Sequence, residues 1–446
     1  MFQHMKVLLV NPSWDRYVSR KGRRINRAWP PLDLLNCAAL LENRGIDVDL
    51  LDARAHWVDP TEIAARSQAY DRVFVTSSPL DRWQCPNLEL ELFFERLKPI
   101  NHPHLYIMGV HGTHYPQQVL DQTRAEAVIR GEPEWTVLEL CEGKPLAETP
   151  GVSYRNSREA VSTPNRPLVD LAQFPVPAFH LLDFNLYGYE LLGERFVLLE
   201  TTRGCPFPCT FCMRDMYGGR AYRIKNPQQV AQEVDAALAA GAGSGYFIDL
   251  EFSLKRDYTL AVCEELRRFR SRWRWCCQTR ADSIDAKLLR AMKDAGCELI
   301  HFGVETGSPR ILKDIDKRIT LEQIAEGIAL AKRAGIETAC FFMMGFPGET
   351  DADRRLTLEF AKKLDPTYAS FHIVSPYPGT PLHQGGTWNQ LYPESAVNGH
   401  ELDRLKRWER EVYRRYYLRL GYVASLLRRG NIHRVLKQSR LLWQLV

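Results

Sequence analysis

The sequence predicts an α/β protein: a doubly wound parallel sheet, then a partial (β/α)6 barrel, then a C-terminal helical tail. Short apolar runs alternate with helix-periodic segments through residues 1–150 and again through residues 196–385. Proline-rich residues 151–195 separate the two parts as a predicted linker, and residues 386–446 form the basic tail. Parallel sheets of this kind bind ligands at the carboxyl ends of their strands.

The first part begins with a β-branched run that ends at Asn11-Pro12-Ser13, which predicts a buried strand followed by a loop. A helix-periodic segment then ends at Gly45, a usual C-cap residue. The predicted strands are 6–10, 48–51, 72–76 and 105–109, and the predicted helices are 32–44 and 88–97.

The second part has six predicted strands with five predicted helices between them, as a partial barrel requires. The predicted strands are 196–200, 245–249, 273–279, 299–303, 337–344 and 368–374. The predicted helices are 228–240, 258–270, 286–295, 321–334 and 351–364.

Composition excludes several classes of protein. With 446 residues, 45% of them hydrophobic, the chain is neither disordered nor fibrous. It shows no signal pattern and no apolar run long enough to span a bilayer, so we expect a cytoplasmic protein. In that compartment its 11 cysteines are expected to be thiols or metal ligands, most of them in the core.

The positive charge is concentrated in the tail. Residues 401–446 carry 12 Lys and Arg against four Asp and Glu, so the net charge of +5 leaves −3 for residues 1–400. A nucleic-acid interface across the main body is therefore not supported. The tail's aromatic residues among arginines fit either an anionic lipid surface or a helical lid over the barrel, with RNA binding as a third alternative.

Three cysteines follow the first barrel strand at the spacing C-x3-C-x2-C, as Cys205, Cys209 and Cys212. Three thiolates on one loop can bind three irons of a four-iron cluster and leave the fourth iron open. The alternative is a structural zinc site, but such sites use four ligands, commonly in two pairs. No Cys or His lies within 20 residues after Cys212.

This spacing, with aromatic Phe211 before the last cysteine, resembles the signature of the radical S-adenosylmethionine (SAM) enzymes. The resemblance implies a [4Fe-4S] cluster on Cys205, Cys209 and Cys212 whose open iron chelates SAM. It further implies reductive cleavage of SAM to a 5′-deoxyadenosyl radical by an electron from a donor such as flavodoxin or ferredoxin.

Four later loops match SAM-binding positions of that family. The resemblance implies that Asp249 and Glu251 lie near the SAM amino group, although the usual Gly-Gly-Glu is absent. Arg280 would meet the SAM carboxylate or else form a surface salt bridge, and Glu305 would bind the ribose or ammonium or else be structural. Gly345 would admit the adenine, and Tyr377-Pro-Gly-Thr380-Pro381 resembles the closing element of a subgroup with cobalamin domains.

The first part resembles the cobalamin-binding domain that precedes many radical SAM domains. The implied contacts are small, hydroxyl and loop residues after the strands, although any doubly wound sheet carries small residues there. The motif that supplies a lower histidine ligand is absent, and His111 can equally be a packing residue. The candidates are Asn11, Ser13, Ser77, Ser78, Gly109, His111, Gly112, Gly131 and Glu132.

The resemblance implies a cobalamin-dependent enzyme that methylates an unactivated carbon of a small-molecule or lipid-pathway substrate. The alternatives are an oxidative or ring-forming enzyme with the same cofactors, a methylthiotransferase, and a non-enzymatic cluster scaffold or cobalamin carrier. A methylthiotransferase needs three further cysteines on converging loops. Cys37 and Cys141 fall in helix-periodic segments and Cys85 stands alone on a loop, which disfavours that alternative.

Overall fold

The structure is a computed structural model. It describes residues 5–12, 28–77, 94, 97–157, 159–214, 219–383, 395–397 and 399–422. The first sheet contains β1 (Lys6–Asn11), β2 (Asp47–Asp52), β3 (Arg72–Thr76), β4 (Leu105–Met108), β5 (Ala127–Ile129), β6 (Val152–Asn156) and β7 (Glu159–Ser162).

The strand order of this sheet is β2-β1-β3-β4-β5-β6-β7, and the first five strands are parallel. The chain therefore reverses direction across the sheet between β1 and β3, which confirms the doubly wound prediction and places the ligand crevice at the carboxyl ends. The antiparallel β6–β7 hairpin corrects the prediction that the linker starts at residue 151. Its strands are short and largely polar, so no apolar run marked them.

The second sheet contains six parallel strands in chain order, which confirms the predicted partial barrel. They are β10 (Phe196–Leu199), β13 (Ser244–Phe247), β14 (Arg274–Thr279), β15 (Cys297–Glu305), β16 (Glu337–Met344) and β17 (Tyr368–Ile373). Two small antiparallel pairs are β8 (Gly188–Tyr189) with β9 (Gly193–Glu194) and β11 (Thr202–Arg203) with β12 (Arg223–Ile224).

The helices begin where the sequence places capping residues. Asn226 and Asp285 cap two of them, and Thr320 and Thr350 form capping boxes, which explains why these helices were predicted to within two residues. Most of the predicted 88–97 helix lies outside the described residues. The helices are α1 (Leu32–Glu42), α2 (Pro60–Ser67), α3 (Val110–His114), α4 (Pro116–Gln122), α5 (Glu134–Cys141), α6 (Pro227–Ala239), α7 (Arg256–Leu266), α8 (Ala286–Asp294), α9 (Pro309–Asp314), α10 (Leu321–Arg333), α11 (Asp351–Leu364) and α12 (Gly399–Tyr417).

Helix α12 covers the outer edge of β17 with tyrosine hydroxyls. Tyr417 Oη accepts a hydrogen bond from the Ala369 amide at 2.9 Å and donates to the Ala369 carbonyl at 2.7 Å. Tyr413 Oη lies 3.0 Å from the Phe371 amide and 3.2 Å from its carbonyl. These aromatic side chains are packed against the barrel, as the lid alternative requires, and are not available to enter lipid.

Among the helices that the structure describes, none combines the length and the apolar character that a membrane span requires.

The carboxyl ends of the two parallel sheets face each other. Met213, just after the last motif cysteine, packs in one apolar cluster with Val75 of β3 and Ile107 of β4. Tyr115 Oη of the first part lies 3.4 Å from His383 Nε2, which follows the last barrel strand. The loops that follow both sets of strands therefore border a common region.

Candidate functional site

The three cysteines lie on a hairpin whose two arms are β11 and β12. Asp249, after β13, accepts a hydrogen bond from the Thr201 amide at 2.8 Å and also bonds the Thr202 amide. Thr201 Oγ1 donates to the same carboxylate at 3.1 Å. Burial raises the pKa of Asp249 to about 7, and the backbone hydrogen bonds oppose that rise. Asp249, predicted near SAM, thus holds the start of this cysteine hairpin.

The three thiols lie close enough to influence one another electrostatically. Cys209 is buried, and Cys205 and Cys212 are partly buried. Burial raises the pKa of Cys205 to about 11 and that of Cys212 to about 12, and the neighbouring cysteines add to both shifts. The Lys317 ammonium acts in the opposite direction on all three thiols.

This donor set fits an anionic iron–sulfur cluster, because three thiols lie on one loop beside a buried cation that stabilises thiolates. In the described part of the chain, no group of three His, Cys, Asp or Glu converges on a single ion position. A four-iron cluster does not need such a point, since each cysteine binds a different iron.

Lys317 was not predicted from the sequence, because no motif marks the turn after α9. Its Nζ lies 2.7 Å from Glu305 Oε1, and both side chains are buried. Burial opposes the charge of Lys317, but Glu305 and Cys209 outweigh it and raise its pKa. Lys317 Nζ also lies 5.8 Å from the ring centre of Phe211, a residue that stands between Cys209 and Cys212 in the sequence.

The sequence predicted Glu305 to lie in the loop after the fourth barrel strand. In the structure Glu305 is the last residue of that strand, β15. An irregularity between Gly303 and Glu305 interrupts the pairing with β16, and Glu305 has φ = 66°. Such bulges re-aim side chains near active sites. A Cβ on Gly303 would lie 2.4 Å from Glu305 Oε1 and 3.0 Å from Lys317 Nζ, so glycine leaves the space that this ion pair occupies.

Glu251 and Arg280 are held by the protein itself. Glu251 accepts from the Arg280 amide at 2.9 Å and from Ser283 Oγ at 2.6 Å, and burial raises its pKa. The Arg280 guanidinium forms a bidentate pair with Asp282 at 2.9 and 2.8 Å. It also donates to the Lys317 carbonyl at 2.7 Å. Arg280 thus forms a salt bridge, but the prediction that this bridge lies at the surface is wrong, because the Arg280 side chain is 6% exposed.

Gly345 needs to be glycine. Its φ is 87°, a Cβ would meet the Leu405 side chain at 2.7 Å, and its amide donates to Glu349 Oε2 at 2.5 Å. Phe346 contacts Phe211 edge to face at 6.0 Å between ring centres. The end of β16 is thereby joined to the cysteine hairpin.

The candidate ligand edge of the first sheet is partly occupied by internal contacts. Asn11 Nδ2 donates to Asp52 Oδ1 at 3.0 Å. The Ser77 carbonyl lies 2.7 Å from His111 Nδ1, and burial lowers the pKa of His111 to about 3. His111 is therefore a neutral packing residue in this structure, while Ser13 and Ser78 lie outside the described residues.

Glycine is required for different reasons at three positions of this edge. Gly109 and Gly131 have φ of 104° and 73°, values that favour glycine. A Cβ on Gly112 would come within 2.3 Å of the Val128 side chain, so Gly112 lets α3 approach β5. The Gly131 amide donates to Thr113 Oγ1 at 3.0 Å.

Glu132 contacts the cysteine hairpin. Its carboxylate lies 3.1 Å from Arg203 Nη1 and 3.2 Å from Arg223 Nη1. Arg203 also pairs with Glu134 and Glu200, each at 2.6 Å. Burial opposes the charge of Arg203, but these carboxylates outweigh it and raise its pKa. The role of Arg203, two residues before the first motif cysteine, was missed because its partners Glu132 and Glu134 are distant in sequence.

Comparison with known proteins agrees with this geometry. Residues 199–361 match the family model described as the radical SAM superfamily. The chain therefore contains a radical SAM domain, which implies a [4Fe-4S] cluster and SAM, and it is an enzyme. Its fold is similar to that of solved structures of cobalamin-dependent radical SAM enzymes.

Two proteins with similar sequences and one solved structure illustrate these similarities. An uncharacterized methyltransferase of Pyrococcus horikoshii is 29% identical, over 93% of this chain and 93% of that protein. The anaerobic magnesium-protoporphyrin IX monomethyl ester cyclase of Cereibacter sphaeroides is 27% identical, over 85% of this chain and 63% of that protein. The structure of the methyltransferase TsrM from Kitasatospora setae, with cobalamin and a [4Fe-4S] cluster bound, has a TM-score of 0.68 and 21% identity, covering 85% and 74% of the two chains.

Proposed function

We propose that the protein is a cobalamin-dependent radical SAM methyltransferase that acts on an unactivated carbon of a small-molecule or lipid-pathway substrate. The observation that carries this proposal is the arrangement of the two sheets. The cysteine hairpin lies at the carboxyl end of the barrel and packs through Met213 against the strands of the first part. A ligand at each edge would therefore reach the common region, as two cofactors that exchange a methyl group require.

The residues around the hairpin fit the two barrel cofactors. Cys205, Cys209 and Cys212 would hold the cluster, and the Glu305–Lys317 pair would face SAM beside Phe211. When bound, the cluster would supply the electron for SAM cleavage, drawn from an external donor such as flavodoxin or ferredoxin, and cobalamin would supply the methyl group. The protein's part is to bind, orient and exclude water.

The first part would bind cobalamin without a histidine ligand from a lower-ligand motif. His111 is turned to the Ser77 carbonyl and buried, so it serves packing. Gly109 and Gly131 would let the backbone approach a large ligand, as positive-φ glycines after strands allow. TsrM, whose structure holds cobalamin, supports this assignment through its similar fold.

The test is anaerobic reconstitution with iron, sulfide and cobalamin, followed by incubation with SAM and titanium(III) citrate. We expect both S-adenosylhomocysteine and 5′-deoxyadenosine, and we expect Cys209→Ala to form neither beyond background. Deoxyadenosine without S-adenosylhomocysteine would contradict methyl transfer. A colourless protein holding one zinc would overturn the whole proposal.

A second candidate is an oxidative, ring-forming enzyme with the same cofactors. The similarity to the Cereibacter sphaeroides cyclase favours it, although the chain spans 63% of that protein. The mass of the product separates the two candidates, since methylation adds one methylene and ring closure removes hydrogens.

A further inference from the structure

The base of the cysteine hairpin places two arginines side by side. Arg203 of β11 pairs directly opposite Arg223 of β12 in the antiparallel register. Like charges opposite each other on two strands destabilise the pair. Glu132 offsets this repulsion, because its carboxylate contacts both guanidinium groups, with Nη1 atoms at 3.1 and 3.2 Å.

Arg203 is enclosed on every side. Besides Glu132 it contacts Glu134 and Glu200 at 2.6 Å, and its guanidinium carbon lies 4.6 Å from the ring centre of Phe174. Its side chain is 1% exposed. Glu132 and Glu134 belong to the first part and Arg203 to the barrel part, so the contact between the two parts is ionic. It is fully buried at Arg203 and Glu134, while the Glu132 side chain is 14% exposed. Removing one member of such a group is costly.

The contact continues into the ligand edge of the first sheet. Gly131, adjacent to Glu132, donates its amide to Thr113 Oγ1 at 3.0 Å. Thr113 Oγ1 in turn donates to the Gly109 carbonyl at 2.9 Å. A continuous chain of contacts thus runs from the loop after β4, through Gly131 and Glu132, to the hairpin that carries the cysteines.

We propose that Glu132 and Arg203 are positioning residues that fix the cysteine hairpin relative to the ligand edge of the first sheet. This role rests on the proposed function, in which SAM on the hairpin side meets cobalamin on the sheet side. It gives Glu132 a different task from the direct cobalamin contact predicted from the sequence.

Two reactions of SAM distinguish a role in aligning the two parts from a role in the chemistry at the hairpin. Reductive cleavage consumes one electron and one hydrogen atom, gives methionine and 5′-deoxyadenosine, and needs only the hairpin. Methyl transfer breaks the sulfonium S–CH3 bond, forms a Co–CH3 bond on cob(I)alamin and releases S-adenosylhomocysteine, so it needs both parts aligned. Titanium(III) citrate supplies the electrons for both, and neither reaction requires the substrate.

The first measurement uses Glu132→Gln in the full chain loaded with cluster and cobalamin. Gln keeps the size of the side chain and removes the charge. We expect the ratio of S-adenosylhomocysteine to 5′-deoxyadenosine to fall about tenfold, because methyl transfer depends steeply on alignment. Arg203→Met should lower this ratio as well. Arg203→Lys, which keeps the positive charge, should lower it less than Arg203→Met does. An unchanged ratio in Glu132→Gln would overturn the proposal.

The matched control is the Lys225–Glu233 pair. This pair is more fully buried than the Glu132–Arg203 contact, with Lys225 Nζ 2.7 Å from Glu233 Oε1. Lys225 follows β12 directly, but both partners belong to the barrel part. The double variant Lys225→Met with Glu233→Gln should keep the product ratio within about twofold of wild type, since it removes both charges together and their ion pair lies wholly within the barrel part. A tenfold fall in this control would count against a specific role for Glu132.

Hydrogen exchange tests the bridge without reference to the reaction. In Glu132→Gln we expect amides at 201–206 and at 109–114 to exchange about tenfold faster, and in the control those at 109–114 to be unchanged. Unchanged exchange at 109–114 in Glu132→Gln would overturn the bridge. If wild type forms no S-adenosylhomocysteine while this exchange pattern holds, the proposed function fails and the positional link stands.

Discussion

Gly303 leaves the space in which Glu305 meets Lys317. We expect Gly303→Ala to keep its iron and sulfide but to lose reductive SAM cleavage by on the order of 100-fold, because small displacements of an active-site group reduce rate that steeply. The measurement is 5′-deoxyadenosine formation under anaerobic reducing conditions. Gly421→Ala is the control, since nothing lies within 4 Å of an added Cβ there. A wild-type rate in Gly303→Ala would show that the ion pair is not needed in its observed position.

Lys317 neutralises the buried Glu305 carboxylate at 2.7 Å. Lys317→Met leaves that carboxylate without its partner and should lower the free energy of unfolding by about 3–5 kcal/mol. The double variant Lys317→Met with Glu305→Gln should recover most of this loss, because no charge is then buried alone. Urea unfolding of the four proteins in the cycle measures the coupling. Equal stability of the single and double variants would contradict it.

His301 is a neutral histidine inside the barrel. Its ring nitrogens lie 2.7 Å from Tyr246 Oη and 3.0 Å from Tyr189 Oη, and burial lowers its pKa to about 3. The unfolded chain binds a proton below about pH 6.5 and the folded chain does not, so the stabilising contribution is complete above that pH. It is lost as the pH falls from about 6.5 toward 3.

We therefore expect the free energy of unfolding to fall by up to about 1.4 kcal/mol per pH unit below pH 6 through this one group. His301→Gln should make the slope between pH 6 and pH 4.5 shallower by that amount, even if its stability at pH 7.5 is lower. Denaturant unfolding at several pH values measures the slope. Parallel slopes for the two proteins would mean that His301 titrates normally.

At the scale of elements, α12 is fixed to β17 by hydrogen bonds from side chains to an exposed strand edge. Tyr417 satisfies both backbone groups of Ala369. Tyr417→Phe should destabilise the protein by about 1–3 kcal/mol, because the amide and carbonyl remain buried without a partner. Thermal or urea unfolding measures the loss. Tyr154→Phe, on the partly exposed face of β6, should cost less than about 0.5 kcal/mol.

The elements that the sequence predicted well share a physical origin. Each barrel strand is a short apolar run, and the helices begin at Asn226, Asp285, Thr320 and Thr350, whose side chains bond the first-turn amides. Local residues decide both features. The β6–β7 hairpin was missed because only its pairing to β5 makes its polar residues a strand.

At the scale of the whole molecule, the site combines what is local in sequence with what is not. The cysteine spacing and the Gly303–Glu305 loop were recognisable because neighbouring residues define them. Lys317 and the first-part partners of Arg203 were not, because Lys317 lies 12 positions after Glu305, and Arg203 lies 69 positions after Glu134 and 71 after Glu132. Only the folded arrangement of the two sheets shows that Glu132 faces the hairpin.

The tyrosine cover on β17 also affects how copies of this chain meet one another. Without α12, the backbone groups of Ala369 and Phe371 would form an open row that a strand from a second molecule could join, which is how sheets recruit neighbours. A chain shortened to end before Gly399 should therefore self-associate. Light scattering would detect the assemblies. A shortened chain that stays monodisperse would show that the edge of β17 does not pair with a second molecule even without α12.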